Sequence, residues 1–148
     1  GSASGGMAAL MRQEVGLEAV SSIDDGKHPR HGEHPIARQL VEDSHSNAAK
    51  AWVKDCKFDV VFIDGDHSYE GVKQDIALAM SCAKTIAVHD TVACPGVAAA
   101  WQEAVASGRI KQIAYFAGKE KPLGIGRACA SLRRGTWTPC SPSSAVPP

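Results

Sequence analysis

Residues 58–75 read FDVVFIDGDHSYEGVKQD, and this stretch decides the fold. Val60, Val61, Phe62 and Ile63 form an unbroken β-branched and aromatic run. Such a run predicts a strand covered on both faces within a parallel sheet. Asp64, Asp66 and His67 follow at once, and Val72, Ile76 and Met80 then recur at four-residue spacing, the stripe of a helix packing back on that sheet. The unit is strand, polar loop, helix. In open α/β sheets ligands sit in the crevice beyond the carboxyl ends of the strands, so the place of these polar groups matters as much as their identity.

A second strand with a polar end follows about one helix later. Thr85, Ile86, Ala87 and Val88 stop at His89, Asp90 and Thr91, after which Cys94-Pro-Gly leads into a helix carrying Val97, Trp101 and Val105. Neighbouring parallel strands ending in Asp64 and Asp90 would bring two carboxylates to one point, which is tolerable mainly when a cation joins them. Oxygen ligands favour magnesium, manganese or calcium, while His67 and His89 keep a transition metal open. The plainer reading makes Asp64, Asp66 and Asp90 caps of the helices that follow, and His67 a first-turn residue with a structural hydrogen bond. For such residues taken alone the plainer reading is favoured.

These segments, together with the Lys-Pro-Leu-Gly-Ile-Gly run around Pro122, resemble the class I S-adenosylmethionine-dependent methyltransferases. The closest likeness is to the metal-dependent O-methyltransferases of macrolide-sugar and cephalosporin-pathway type. The likeness covers residues 1–130, and Asp64 to Tyr69 is its most specific part. It implies a Rossmann-like, doubly wound α/β fold and a magnesium ion held by Asp64 and Asp90. Position 89, often a third acidic ligand in those enzymes, is His89 here and enters the expected metal set in that place. His67 is implied as the catalytic base that takes a proton from the hydroxyl of a small acceptor. In-line methyl transfer then proceeds without a covalent enzyme intermediate, so no nucleophile motif is needed.

The cofactor side is read from the first third of the chain. Gly1-Ser-Ala-Ser-Gly5-Gly6 precedes a helical stretch with Met7, Leu10 and Met11, closed by Glu14 and Gly16, and is similar to the family's glycine-rich turn, where glycine permits close backbone approach. Val20 to Asp24 reads as a strand with Asp24 as the expected ribose ligand and Asp25 as its rival. Gln39 to Glu42 reads as another, and the resemblance puts Asp43 and Ser44 near the adenine. Asp64 is counted with the cofactor-facing residues as well as the metal ligands. The family's first strand has no counterpart upstream of Gly1. A fragment of a longer polypeptide, a slot filled by another segment or chain, and a cloning remnant before Met7 are the three explanations. An unfilled slot would leave open sheet edges and favour association, either between copies or with a complementing segment.

Composition bounds the rest. The chain has 148 residues, 44% hydrophobic and 22% charged, enough for one core. Sixteen basic residues balance sixteen acidic ones, with no basic stripe and interleaved aromatics, which argues against nucleic acid. The local run from Lys27 to His34 reads as a solvated loop, with a cofactor cover or an anion site as alternatives. No apolar run approaches the roughly 18 residues that span a bilayer, and no secretory signal is visible, so a cytoplasmic protein is expected. Cys56, Cys82, Cys94, Cys129 and Cys140 are odd in number and lack a Cys-x-x-Cys pair, which suits reduced thiols. His28, His31, His34 and His45 read as structural rather than functional residues, and Trp52 and Trp101, on helical stripes, as core. Residues 131–148 read as an irregular Pro/Ser-rich tail with Trp137 as its anchor. A non-catalytic binding module on the same scaffold is the alternative to an enzyme. A metal-dependent phosphoesterase is a weaker third, because such sites assemble more ligands.

Overall fold

The computed structural model describes residues 4–14, 16–17, 19–33, 36, 38–117 and 124–130. Gly1, His34, Pro122, Trp137, Cys140 and the tail from residue 131 lie outside the described residues. The elements run α1 (Gly6–Glu14), β1 (Ser21–Asp24), β2 (Arg38–Val41), α2 (Asn47–Val53), β3 (Phe58–Ile63), α3 (Tyr69–Cys82), β4 (Ala83–His89), α4 (Pro95–Ala106), β5 (Ile110–Phe116) and β6 (Ile125–Ala130). This is an α/β, Rossmann-like arrangement. The chain divides into two compact units, one running to Trp52 and the other starting at Val53.

In the first unit β1 and β2 pair in parallel, with Asp24 opposite Val41. The Arg38 guanidinium stacks 4.8 Å above the Trp52 ring, so Trp52, expected in the core, is instead a half-buried platform for a cation. Met7 and Leu10 of α1 are about half exposed, at 50% and 51%.

The second unit holds the core. Its sheet has the order β3-β4-β6-β5, with β3 and β4 parallel and β6 antiparallel to both of its neighbours. Ile63, Ile86, Val88 and Ala128 form the sheet's packed face, against Val72, Ile76 and Ala79 of α3 and Val97, Ala100, Trp101 and Ala104 of α4. Period-two alternation puts Val61 and Ile63 inward and Val60 and Phe62 outward. Val60 is 54% exposed, so the strand expected to be covered on both faces is packed on one. Within this unit α3 and α4 supply the layer on the inward face, and β3 is the end strand of the sheet among the described residues.

Contacts of two kinds tie the helices to each other and to the sheet. The Tyr69 hydroxyl at the start of α3 donates to Glu103 of α4, and Lys73 pairs with the same carboxylate at 3.2 Å. The Tyr69 hydrogen bond and then the Lys73 cation hold the Glu103 carboxyl below its usual range. On the sheet side Trp101 lies flat against Gly126, where an added Cβ would sit 2.5 Å from the ring, while its Nε1 donates to Gln112 at 3.0 Å.

Gly126→Ala must therefore displace Trp101, which is 2% exposed. A loss of about 1–3 kcal/mol is expected, the cost of overpacking, measured by urea unfolding. Burial pushes the Cys82 thiol up to about 11. Mass-spectrometric mapping of thiol labelling at pH 8 should find Cys82 protected in the native protein and the exposed Cys129 modified.

Candidate functional site

The strand ends of the second unit converge. Ile63 pairs with Val88, so the next residues, Asp64 just past β3 and His89 closing β4, stand side by side. The His89 Nδ1 lies 3.4 Å from Asp64 Oδ1 and 3.2 Å from Asp90 Oδ1. His67 reaches in from the loop before α3, its Nε2 3.6 Å from Asp64 Oδ1 and 3.4 Å from Asp90 Oδ2. All four residues expected as metal ligands or base thus share one place. The ligand atoms of Asp64, His89 and Asp90 all lie within 4.8 Å of one another.

Local structure explains how each side chain gets there. Asp66, a rival acid in the sequence, is spent on the loop: its carboxylate accepts from the Ser68 amide at 2.8 Å and from the Ser68 hydroxyl at 2.9 Å. Ser68 in turn caps α3, its hydroxyl accepting from the Gly71 amide. None of the three aspartates considered as caps is one: Ser68 caps α3 with Asp66 behind it, and Cys94 stands at the cap position of α4. Gly96 lets α4 close on this loop, since a Cβ there would meet the His67 carbonyl at 2.6 Å and the Tyr69 amide at 2.8 Å. The Phe62 ring packs 5.9 Å from His89, tilted by 49°.

Asp90 is held under strain. Its φ of 56° is the one left-handed non-glycine angle among the described residues, a conformation that aspartate tolerates and that concentrates at functional sites. The turn that follows is pinned by the Cys94 amide donating to the Asp90 carbonyl at 3.1 Å, and by Tyr115 donating its hydroxyl to the Thr91 carbonyl at 3.1 Å.

Asp90 is only 9% exposed, yet its Oδ1 has no hydrogen-bond partner, and neither has His89 Nδ1. The two atoms lie 3.2 Å apart without the alignment of a hydrogen bond. A buried polar atom left unpaired costs about 1–3 kcal/mol. A divalent cation accepting lone pairs from both would remove that cost, and the donor set of two carboxylates and an imidazole fits such an ion.

In the first unit Asp24 is 6% exposed. Its Oδ1 accepts from the Gly26 amide at 2.8 Å and lies 3.1 Å from His31 Nδ1. Asp25 points outward to Lys27 at 3.0 Å, and the bond from the Lys27 amide lowers its pKa. Of the two rivals, Asp24 is the one set at the strand end. The run from Lys27 onward is consumed internally: Lys27 on Asp25, Arg30 on Glu33 at 2.7 Å, His31 on Asp24. His31 is half-buried in this structural pairing. Gly5 is buried with φ 82° at the mouth of α1, and Gly6 opens the helix. Asp43 is exposed, accepting from the His45 amide at 2.8 Å, with Ser44 half-buried beside it. Gly1 lies outside the described residues.

A family model described as a methyltransferase domain matches residues 1–91. That span is more than half of the chain, and the chain belongs to this family. It takes in β1 to β4 and ends just past Asp90. No curated protein matches the chain significantly. Among the described residues no helix is long and apolar enough to cross a membrane.

Sequence reasoning passed over three contributors: Gly96, the Tyr69–Glu103 contact and Cys94. Only Cys94 carried a signal, four residues after Asp90 at the start of a helix.

If the cluster is a cation site, magnesium or manganese at about 100 times its Kd should stabilise the protein by about 2.7 kcal/mol, seen as a raised thermal midpoint. Asp64→Asn should abolish that rise without lowering the midpoint in chelator, because it removes one of two crowded carboxylates. Gly96→Ala, which pushes on the His67 loop, should weaken the ion's effect.

Proposed function

We propose that this chain is, or forms the catalytic part of, an S-adenosylmethionine-dependent O-methyltransferase acting on a hydroxyl of a small molecule. Membership of the methyltransferase family supports methyl transfer. The observation that carries the finer reading is the meeting of Asp64, His67, His89 and Asp90 at two parallel strand ends. Asp64 and Asp90, with His89, would hold a divalent cation, and the carboxylate pair supports magnesium. Bound there, such an ion makes an acceptor hydroxyl more acidic. S-adenosylmethionine supplies an electrophilic methyl on a sulfonium centre, and Gly5, Gly6, Asp24, Asp43 and Ser44 are the residues proposed to hold it.

The work of the chain itself is to orient and to move one proton. His67 is 44% exposed at its side chain, so an acceptor can reach it. Its Nε2 would take the hydroxyl proton as the oxygen bonds to the methyl carbon and the sulfur–methyl bond breaks. The carboxylates at 3.4 and 3.6 Å would stabilise the resulting imidazolium. Among the described residues β3 is the end strand of its sheet, which supports pairing with a further strand, from a complementing segment or a second copy. Four free thiols among the described residues support a reducing, cytoplasmic setting.

A second reading has one observation in its favour. The Oδ1 of Asp24 is already engaged by Gly26 and His31, which suits a scaffold that no longer binds the cofactor and serves as a binding module.

Calorimetric titration of S-adenosylmethionine, with and without magnesium, separates the two. Saturable binding that Asp24→Ala weakens roughly tenfold, about 1.4 kcal/mol, is expected. Heat indistinguishable from dilution, from a folded sample, would favour the binding module. With an accepted hydroxylated substrate, His67→Asn should lower kcat about 10²–10⁴-fold with cofactor affinity unchanged; full activity in that variant would exclude His67 as base.

A further inference from the structure

Asp90 faces two groups of donors. The ligand atoms of His67, Asp90 and Cys94 also lie within 4.8 Å of one another. Neither side chain beside Asp90 in this second group is a carboxylate; they are an imidazole and a thiol, half-buried at Cys94 and exposed at His67. The thiol is free and makes no capping hydrogen bond although Cys94 is the N-cap of α4. Pro95 follows it, and the Cys94 amide is bonded to the Asp90 carbonyl at 3.1 Å, so the backbone of the turn holds Cys94 close to Asp90.

We propose that His67, Asp90 and Cys94 form a second cation site, selective for zinc over magnesium, which shares Asp90 with the Asp64–His89–Asp90 group. Donor chemistry sets the selectivity. Magnesium takes oxygen ligands in octahedral geometry, whereas thiolate, imidazole and one carboxylate, with a water in the fourth position, make a tetrahedral zinc site. Geometry agrees with this. Bonds of about 2.0–2.3 Å in a tetrahedron place ligand atoms roughly 3.3–3.8 Å apart, and His67 Nε2 is already 3.4 Å from Asp90 Oδ2. Asp90 is also the buried residue whose other oxygen has no hydrogen-bond partner, so a carboxylate poor in partners stands at the centre of both groups. Binding releases the thiol proton, and the imidazole enters as its neutral form.

The consequence for catalysis rests on the methyl-transfer reading above. A zinc ion on His67 Nε2 occupies the lone pair that the base needs, so zinc blocks what magnesium supports. Cys94 takes no part in that chemistry and is the residue that distinguishes the two ions.

The test is cobalt(II) titration of the whole chain in excess magnesium. A thiolate-to-cobalt charge-transfer band in the near ultraviolet is expected, bleached by one equivalent of zinc. Cys94→Ser should lose the band, and competition with a chromophoric chelator should show its zinc affinity, and that of His67→Asn, lowered at least roughly tenfold. Circular dichroism checks that both variants fold. Absence of a sulfur band in the unaltered protein, or a band and zinc affinity that survive Cys94→Ser, would overturn the site. Neither S-adenosylmethionine nor an acceptor enters this measurement. A failed methyl-transfer reading therefore leaves the cobalt result standing, and an active methyltransferase with unaltered zinc affinity in Cys94→Ser removes the second site alone.

Discussion

The register of β3 against β4 is the constraint on which the candidate site depends. With Ile63 opposite Val88, both residues point into the core and their successors, Asp64 and His89, emerge together on the other face. A slip of one residue would invert every side chain of one strand. It would bury Phe62 in place of Ile63 and separate the acid from the imidazole by the thickness of the sheet. The core enforces the register because Ile63, Ile86 and Val88 are 6%, 0% and 1% exposed. Apolar burial of a few side chains, each worth about 1.5–3 kcal/mol, thus fixes the position of polar groups that contribute nothing to the core.

What the packing brings together is locally unfavourable. Asp90 adopts a left-handed φ, and its Oδ1 and the His89 Nδ1 are buried without hydrogen bonds. Costs of this size persist only where the surroundings over-determine them. Here the surroundings are identifiable: the Cys94 amide, Tyr115 and the close approach of Gly96 to the His67 backbone. The Tyr69–Glu103 contact between α3 and α4 belongs to the same frame, since it fixes the first turn of the helix that the His67 loop enters. These groups are individually half-exposed or small, and their value lies in holding a polar cluster in a shape it would not adopt alone.

Much of this was legible in the sequence, and for physical reasons. Continuous apolar runs ending abruptly in acids at residues 64 and 90, each followed by a helical stripe, encode strand, loop and helix by periodicity, and the convergence of the two ends follows from parallel pairing. The fold class and the company of Asp64, His67, His89 and Asp90 were therefore readable. Long-range partners were not. Nothing in the local pattern of Tyr69 announces Glu103, 34 residues away, and nothing in Gly96 announces the backbone of His67. The exposure of Val60 and the half-burial of Trp52 against Arg38 depend on which layers cover a face, a tertiary fact that a run of apolar residues does not contain. The spending of Asp66 on Ser68 and of Asp24 on Gly26 and His31 was invisible for the same reason: residue type shows capacity to bond, and only the fold shows to what.

Anomalous diffraction from crystals grown with manganese tests most directly whether the two strand ends build a cation site. A peak within coordination distance of Asp64, His89 and Asp90 is expected, with His89 turned to complete the shell. An ordered site with no peak there, at a manganese concentration that fills other surface carboxylates, would contradict it and leave the four residues as a structural charge cluster.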